Sequence, residues 1–171
     1  MKTKFLTILL AILIFGLQNI AAQTETQIAK IRAEVAVINK NVAKYKKTTK
    51  NVDGISLEGT EAKFYSLGAN LKKTTAKIYG ESFNATAEIY YKDNTPIFIY
   101  EKLNKYDKPI GDGNTYPKVV SVEQKRIYYV DGQIIKILVG KKEIKSTDEK
   151  FEELKKEFLD FSNTLLEAFK N

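Results

Sequence analysis

Apolar residues recur every three or four positions near both ends of the chain, which is the spacing of an amphipathic helix. A first helix is expected from about Glu25 to Lys47, and a second one closes the chain. The apolar positions of the first are Ile28, Ile31, Val35, Ile38, Val42 and Tyr45, and those of the second are Phe151, Leu154, Phe158, Phe161, Leu165 and Phe169. Thr24 with Gln27, and Ser146 with Glu149, have capping-box spacing at the two helix starts. The narrow first stripe also fits a coiled-coil seam, but packing on the protein's own sheet is the favoured interpretation.

Between the helices, apolar and polar residues alternate, which is the period of a half-buried strand. Val52–Thr60 contains two glycines and is interpreted as a linker. The predicted strands are Glu61–Leu67, Leu71–Tyr79, Phe83–Tyr91, Ile97–Leu103, Val119–Val130 and Ile134–Val139. Short turns separate most of them, which favours antiparallel neighbours. The sequence therefore predicts an α+β domain: an antiparallel β-meander of about six strands, flanked by an N-terminal and a C-terminal amphipathic helix.

One phrase occurs twice in the strand region. IYYKDNTPIFI, which begins at Ile89, returns 38 positions later as IYYVDGQIIKI. Asp131-Gly132 is typical of a two-residue type I′ turn, because both central positions need a positive φ. Asp93-Asn94 stands at the same place in the first copy. The repetition thus predicts one hairpin used twice, with Tyr91 equivalent to Tyr129.

A fainter third copy, KFYSLGANLKK, aligns Tyr65 with Tyr91 and Gly68 with Asn94. The turn interpretation also predicts the effect of two substitutions. Valine at Gly132 is expected to strain the backbone, whereas glycine at Asn94 is expected to be neutral or mildly stabilising.

The segment YYVDGQIIKI resembles the tyrosine, turn-glycine, aliphatic pattern of MORN-variant hairpin repeats of exported bacterial proteins. The resemblance covers one or two hairpins. It departs from the family pattern at Asn94 and at the 15-residue segment 104–118 that separates the units. It implies stacked hairpins that serve as an interaction surface, and it brings no catalytic residue.

The first 22 residues have the layout of a secretory signal peptide. Lys2 and Lys4 precede a 13-residue apolar run from Phe5 to Leu17, and Ala22 offers a small residue for cleavage. The run is shorter than the about 20 residues that a membrane-spanning helix needs. We therefore expect removal of residues 1–22, which leaves residues 23–171 as a single α+β domain without a transmembrane segment. The destination is the periplasm or the medium, and a lipoprotein is excluded because the chain has no cysteine to carry the lipid.

The charge of the chain does not favour a nucleic-acid partner. The net charge is +7, and removal of Lys2 and Lys4 lowers it to +5. Arg32 and Arg126 are the only arginines, so almost all the positive charge is lysine, which lacks the bidentate geometry used to read bases and phosphates. No nucleic acid is expected as a partner.

Catalytic chemistry is restricted by the absence of histidine and cysteine. Ser-His-Asp and Cys-His nucleophile systems need these residues, as do imidazole and thiolate zinc sites. Glu152, Glu153 and Glu157 alternate with lysines on the polar side of the last helix, which is typical of a solvated helix face. Asp107 and Asp112 do not have the spacing of a calcium loop. The sequence therefore predicts a protein that is not an enzyme and has neither cofactor nor metal.

An aromatic strand face is the candidate binding site. If Ile89 and Ile127 face a helix, the residues at alternate positions face the other side of the sheet. These residues are Tyr90, Phe98, Tyr100 and Tyr128, and the long loop Asn104–Lys118 adds Tyr106 and Tyr116. Tyrosine is enriched at interfaces because it gives a large contact area at low entropy cost. The alternative is an ordinary amphipathic outer surface.

Two functions follow from these patterns. The first is a non-enzymatic exported module that binds a protein or peptide partner through the tyrosine face and the loop, with homo-oligomerisation left open. The second is a carrier of an apolar small molecule or lipid between the sheet and a helix. In the carrier, Phe151, Phe158 and Phe161 would line the cavity.

Overall fold

The computed structural model describes residues 23–111 and 115–171, so the predicted signal peptide lies outside the described residues. Helix α1 covers residues 23–41, and a short 3-10 turn, Val42–Lys44, follows it. The strands are β1 (Lys46–Asn51), β2 (Thr60–Leu67), β3 (Asn70–Gly80), β4 (Phe83–Lys92), β5 (Thr95–Tyr106), β6 (Val119–Val130), β7 (Gln133–Val139) and β8 (Lys142–Ile144). Helix α2 (Glu149–Lys170) closes the chain. The architecture is α+β.

The eight strands form one antiparallel sheet whose spatial order follows the chain order from β1 to β8. The six predicted strands correspond to β2–β7, but the prediction of about six strands was too low by the two edge strands. β1 reads KKTTKN and contains no apolar residue, so it has no alternating pattern to recognise. β8 has only three residues. Both are suited to a sheet edge, where lysine and short length discourage pairing with another chain.

The helix ends also differ from the sequence prediction. The first helix ends at residue 41 instead of Lys47, because the chain has already entered β1 at Lys46. Helix α2 begins at Glu149 with Asp148 as the preceding cap residue, so Ser146 is not its cap. The Asp148 carboxylate accepts a hydrogen bond from Lys145 N at 3.2 Å, which fixes the turn that leads into the helix.

Helix α2 crosses one face of the sheet from the β8 edge to the β1 edge. At its end, Lys50 Nζ of β1 donates to Ala168 O at 2.7 Å, and the ring of Phe169 packs on Phe64 of β2. A helix of 22 residues is about 33 Å long, and seven strand spacings cover about 34 Å. The helix is therefore long enough to cover the whole width of the sheet.

Isoleucine forms the centre of the core under α2. Residues that pair directly across neighbouring strands make one continuous row over the sheet: Thr48, Phe64, Thr74, Ile89, Ile99, Ile127, Ile137 and Ile144. The isoleucines of β4–β7 in this row are fully buried. We call it the isoleucine row. The sequence repeat therefore supplies four neighbouring positions of a single row beneath one helix.

Helix α1 covers the opposite face. Glu25 lies 2.7 Å from Lys136 Nζ on β7, Arg32 lies over the ring of Tyr128 on β6, and Asn39 Nδ2 donates to Tyr90 Oη on β4. Ile28 and Ile31 pack against Tyr128 in a second, smaller apolar cluster. The sheet is thus a middle layer between two helices. Helix α1 runs from β7 toward β3, and helix α2 runs from β8 toward β1.

Three hairpins share one geometry: a two-residue turn followed by a bulge in the second strand. The turn-flanking pairs are Leu67 with Asn70, Lys92 with Thr95, and Val130 with Gln133. The third copy is therefore offset by one residue from the sequence alignment. Gly68 takes the place of Asp93 rather than Asn94, and Tyr65 that of Tyr90.

Asp131 and Gly132 both have a positive φ, 49° and 75°, as the type I′ turn requires. A Cβ at Gly132 would meet no atom within 4 Å, so Gly132→Val should cost stability only through backbone strain. We expect a loss of about 1–3 kcal/mol in the free energy of unfolding, measured by urea unfolding. Gln133→Val, at the adjacent exposed strand position, is the control and should leave the urea midpoint nearly unchanged. Equal midpoints for the two variants would contradict a tight turn at this site.

Asn94 also has a positive φ, 60°, and in addition its side chain accepts a hydrogen bond. Its Oδ1 accepts a hydrogen bond of 2.7 Å from the backbone N of Leu71, which is fully buried. Asn94→Gly should therefore destabilise the protein by about 1 kcal/mol, because the lost acceptor outweighs the easier backbone conformation. This reverses the expectation from sequence. Asn94→Asp keeps the acceptor and should unfold close to the wild-type urea midpoint; a stabilised Asn94→Gly would show that the Leu71 hydrogen bond contributes nothing.

Candidate functional site

The predicted tyrosine face lies beneath helix α1. Tyr90, Phe98 and Tyr128 are direct cross-strand neighbours, and their rings pack in sequence with centroid distances of 6.0 Å and 4.9 Å. Tyr90 and Tyr128 are buried. The face therefore forms the contact layer for α1, and Tyr90 and Tyr128 are not available as an open platform in this arrangement.

Polar contacts hold α1 over this aromatic row. Lys73 Nζ donates to Asn39 Oδ1 and to Tyr90 Oη, both at 3.0 Å, and forms an ion pair of 3.1 Å with Glu88. Tyr90 Oη donates to the Glu88 carboxylate. Burial raises the pKa of the Tyr90 hydroxyl above its ordinary value. The network connects α1 with β3 and β4, which is a structural use of these residues.

The remaining predicted site residues lie apart from one another. Tyr100 is half-buried, and Arg126 lies over its ring. Tyr106 ends β5, and Tyr116 is 94% exposed in the connection to β6. That connection is shorter than the predicted Asn104–Lys118 loop because β5 continues to Tyr106. The structure thus does not bring the six predicted site residues together into one site.

A cavity of about 580 Å³ lies between the sheet and α2. Its sheet wall includes Ile78, Ala85 and Leu103, and its helix wall includes Phe158, Phe161 and Thr164. Phe83, Ile55 and Tyr106 complete most of the apolar lining. Of the phenylalanines expected in a carrier, Phe158 and Phe161 line this cavity. Phe151 belongs instead to the packed core, and Tyr106 is the only predicted binding residue in the wall.

The row of the sheet next to the isoleucine row carries mostly small or polar side chains. The next row toward the cavity is Ala62, Ala76, Ala87, Glu101, Lys125 and Val139. The row after it contains Ile78, Ala85 and Leu103. A helix is a rod about 10 Å in diameter that cannot follow such local changes in side-chain size. Ala85, which lines the cavity between Ile78 and Leu103, therefore leaves space beneath α2.

Phe83 forms its part of the wall because Gly80 has no side chain. The two residues flank the β3–β4 turn and pair across it. A Cβ at position 80 would overlap the Phe83 ring. The close packing of ring on backbone fixes Phe83 at the end of the cavity, where it faces the α2 side of the sheet.

One buried ion pair lies in the cavity wall. Glu101 and Lys125 pair directly across β5 and β6, and each residue is 8% exposed. Lys125 Nζ is 2.9 Å from Glu101 Oε2, 3.4 Å from Glu157 Oε1 and 3.9 Å from Glu123 Oε1. The Lys125 ammonium is the one polar partner that Glu101 Oε2 has within the described chain. The ammonium also lies over the Phe158 ring, 5.3 Å from its centroid.

The pKa values of the two partners both move upward, for different reasons. Burial raises the pKa of the Glu101 carboxyl, and the attraction of Lys125 offsets this only in part. Burial also disfavours the charged form of Lys125, but the combined attraction of Glu101 and Glu157 raises its pKa above the ordinary lysine value. Lys125 is therefore a firmly charged group, unsuited to act as a nucleophile, since only the neutral amine attacks.

The sequence contained one signal for this pair that the sequence analysis did not use. Glu101 lies two positions after Ile99, and Lys125 two positions before Ile127. Residues two apart on a strand share a face, so both charges fall on the core face defined by the repeat. A charged residue at a core position is the informative observation. Glu157 was interpreted as part of a solvated helix face, and its carboxylate in fact reaches this pair.

The described residues offer little else that indicates chemistry. Within residues 23–111 and 115–171, no group of three or more acidic residues could hold a metal ion. Neither described helix combines the length and the apolar character needed to cross a membrane. The cavity with its ion pair is therefore the candidate site.

Lys125→Met should lower the free energy of unfolding by about 3–5 kcal/mol at pH 7, because it leaves the buried Glu101 carboxylate without a cation. The raised pKa sets the pH dependence. A carboxyl whose folded-state pKa lies above its unfolded value near 4.5 stabilises the fold when protonated, and this contribution disappears as the pH rises through the folded-state pKa. The loss in Lys125→Met should therefore shrink as the pH falls toward 4. Urea unfolding at a series of pH values measures it.

Two variants serve as controls for this measurement. Lys63→Met breaks the exposed ion pair with Glu61, 3.4 Å apart, and should cost less than about 1 kcal/mol. The double variant Glu101→Leu, Lys125→Met removes both buried charges and should recover most of the loss. Equal losses in the free energy of unfolding for Lys125→Met and Lys63→Met would show that the buried pair contributes no more stability than the exposed pair.

No protein-family model matches the chain, and comparisons with curated proteins and with solved structures found no similar protein. The resemblance of the hairpins to MORN-variant repeats therefore stays a prediction.

Proposed function

We propose that residues 23–171 form an exported binding protein that holds an apolar small molecule between the sheet and helix α2. The observation that carries this proposal is the cavity of about 580 Å³. Ligand sites typically have volumes of about 300–1,000 Å³, mostly apolar walls and a few polar groups that fix orientation. Aliphatic and aromatic side chains of β3, β4, β5, the β1–β2 loop and α2 build this wall, and Glu101 with Lys125 supplies the polar groups.

The position of the cavity supports a ligand that enters from one side of the sheet. Gly54, Ser82, Lys105 and Asp160 belong to the lining and are exposed, so they form its rim. The loop between β1 and β2 contributes Ile55 to the same rim. The connection after β5 is joined to this end of the molecule, because Ile110 N donates to Glu81 O at 2.7 Å. The entrance is therefore bordered in part by connecting segments, which can adapt to a ligand more easily than strands can, and on the rest by the end of β5 and by α2.

Binding of a protein or peptide, the first expectation from sequence, has one observation in its favour. Beyond the cavity, the start of β6 exposes Val119, Val120 and Val122, each by more than half, and Tyr116 is almost fully exposed nearby in the chain. Contiguous exposed apolar residues are a feature of interaction sites. A partner of this kind would use the tip of the β5–β6 hairpin and not the tyrosine face beneath α1.

Ala85→Phe should fill part of the cavity and weaken binding of an apolar probe. N-Phenyl-1-naphthylamine, whose fluorescence rises in apolar surroundings, is a suitable uncharged probe. We expect its Kd to rise by about tenfold or more, the equivalent of about 1.4 kcal/mol. The measurement is a fluorescence titration of purified residues 23–171.

Thr86→Phe is the matched control, since Thr86 is the next residue of β4, is exposed and faces away from the cavity. It should bind the probe like the wild type. Urea unfolding of both variants checks that the fold is retained. Absence of probe binding to the wild type, or equal binding by the two variants, would contradict a ligand site between the sheet and α2.

A further inference from the structure

The carboxylate of Glu101 has unused capacity to bind a ligand. Its side chain is 90% buried and belongs to the cavity lining, and the Lys125 ammonium is the one polar partner of Oε2 within the described chain. A carboxylate has acceptor sites for several donors, so one ammonium does not use them all. The terminal torsion of a glutamate side chain is broad, so either oxygen can turn toward a donor in the cavity.

The charges around Glu101 favour a cation over an anion. Three carboxylates, from Glu101, Glu123 and Glu157, surround the single ammonium of Lys125. Asp160 and Lys105, which also belong to the lining, carry opposite charges and add no net charge. The site thus has an excess of negative charge although the whole chain carries a net charge of +7. Glu123 and Glu157 also spread the interactions of Lys125 over three partners, which leaves the Glu101 carboxylate incompletely neutralised.

We infer that the ligand of this cavity is a cationic amphiphile, in which an apolar body lies along the Phe158 and Phe161 wall and an ammonium group donates to Glu101. The inference rests on the proposed binding function and names its ligand class. An ammonium supplies up to three N–H donors together with the positive charge. Hydrogen bonds to a charged partner are about twice as strong as neutral ones, so the head group should dominate the choice among ligands of equal apolar size.

The walls of the cavity support the same class of ligand. Phe158 and Phe161 lie with ring centroids 6.5 Å apart in an edge-on arrangement, and the Phe158 ring already holds the Lys125 ammonium at its face. Aromatic faces attract cations most strongly where water is excluded. An anionic head group would face the excess carboxylates, and a neutral hydroxyl would supply one donor but no positive charge.

Three probes of equal chain length test this inference: dodecylamine, which is an ammonium at pH 7, dodecanol and dodecanoate. Each competes with N-phenyl-1-naphthylamine for residues 23–171 below its micelle concentration. The wild type should bind the ammonium about tenfold or more tightly than the alcohol, and the carboxylate least tightly. Glu101→Gln, which keeps the shape and a carbonyl acceptor but removes the charge, should abolish most of the difference in Kd between ammonium and alcohol, and urea unfolding checks that the variant is folded.

Glu61→Gln is the control for a general loss of negative charge, because Glu61 lies on β2 in an exposed ion pair and not in the cavity wall. It should keep the preference for the ammonium. Equal affinity of the wild type for all three probes would overturn the cationic head group and leave the cavity as an apolar site. Failure of every probe to bind would instead overturn the proposed function itself. A preference for the ammonium that survives Glu101→Gln would place recognition on other groups.

Discussion

The fold depends on one row of side chains that crosses all eight strands beneath helix α2. Ile89, Ile99, Ile127 and Ile137 are direct neighbours in this row and fully buried. Because side chains alternate between the two faces of a strand, a slip of one residue in any hairpin would move an isoleucine to the opposite face. The tight turns at Asp93-Asn94 and Asp131-Gly132 prevent such a slip. Register, turn chemistry and core packing therefore support one another.

The same alternation gives the sheet two unequal faces. Residues one position from the isoleucine row, such as Tyr90 and Tyr128, fall under α1 and build the aromatic contact layer. Residues two positions away, such as Glu101 and Lys125, stay under α2 and line the cavity. A cavity and a second helix contact are thus produced from neighbouring residues of the same strands, without any additional element. The repeat serves both layers at once.

The sequence was sufficient for the elements whose patterns are local. It identified β2–β7 to within a few residues from the alternation of apolar and polar positions. It identified both helices from apolar residues three or four positions apart. It did not identify β1, because KKTTKN becomes a strand only by pairing with β2. It also could not show that α1 covers the tyrosine face, since both faces are apolar and the choice depends on tertiary contacts such as that of Asn39 with Tyr90. The cavity depends on the distance between α2 and the alanine positions, which no local pattern determines.

The polar residues Glu101 and Lys125, in the row next to the isoleucine row, are not required by the fold. Replacing a buried ion pair with well-packed apolar residues is often neutral or stabilising, because taking two charges out of water costs several kcal/mol per ion. Apolar residues at Glu101 and Lys125, with a larger side chain at Ala85, would extend the packing of the isoleucine row across this part of the sheet. The row instead keeps alanine residues beside a charged pair of which each residue is only 8% exposed. Local features that lower stability are characteristic of functional sites, and this is the physical reason to look for function in the cavity and not in the better-packed tyrosine layer.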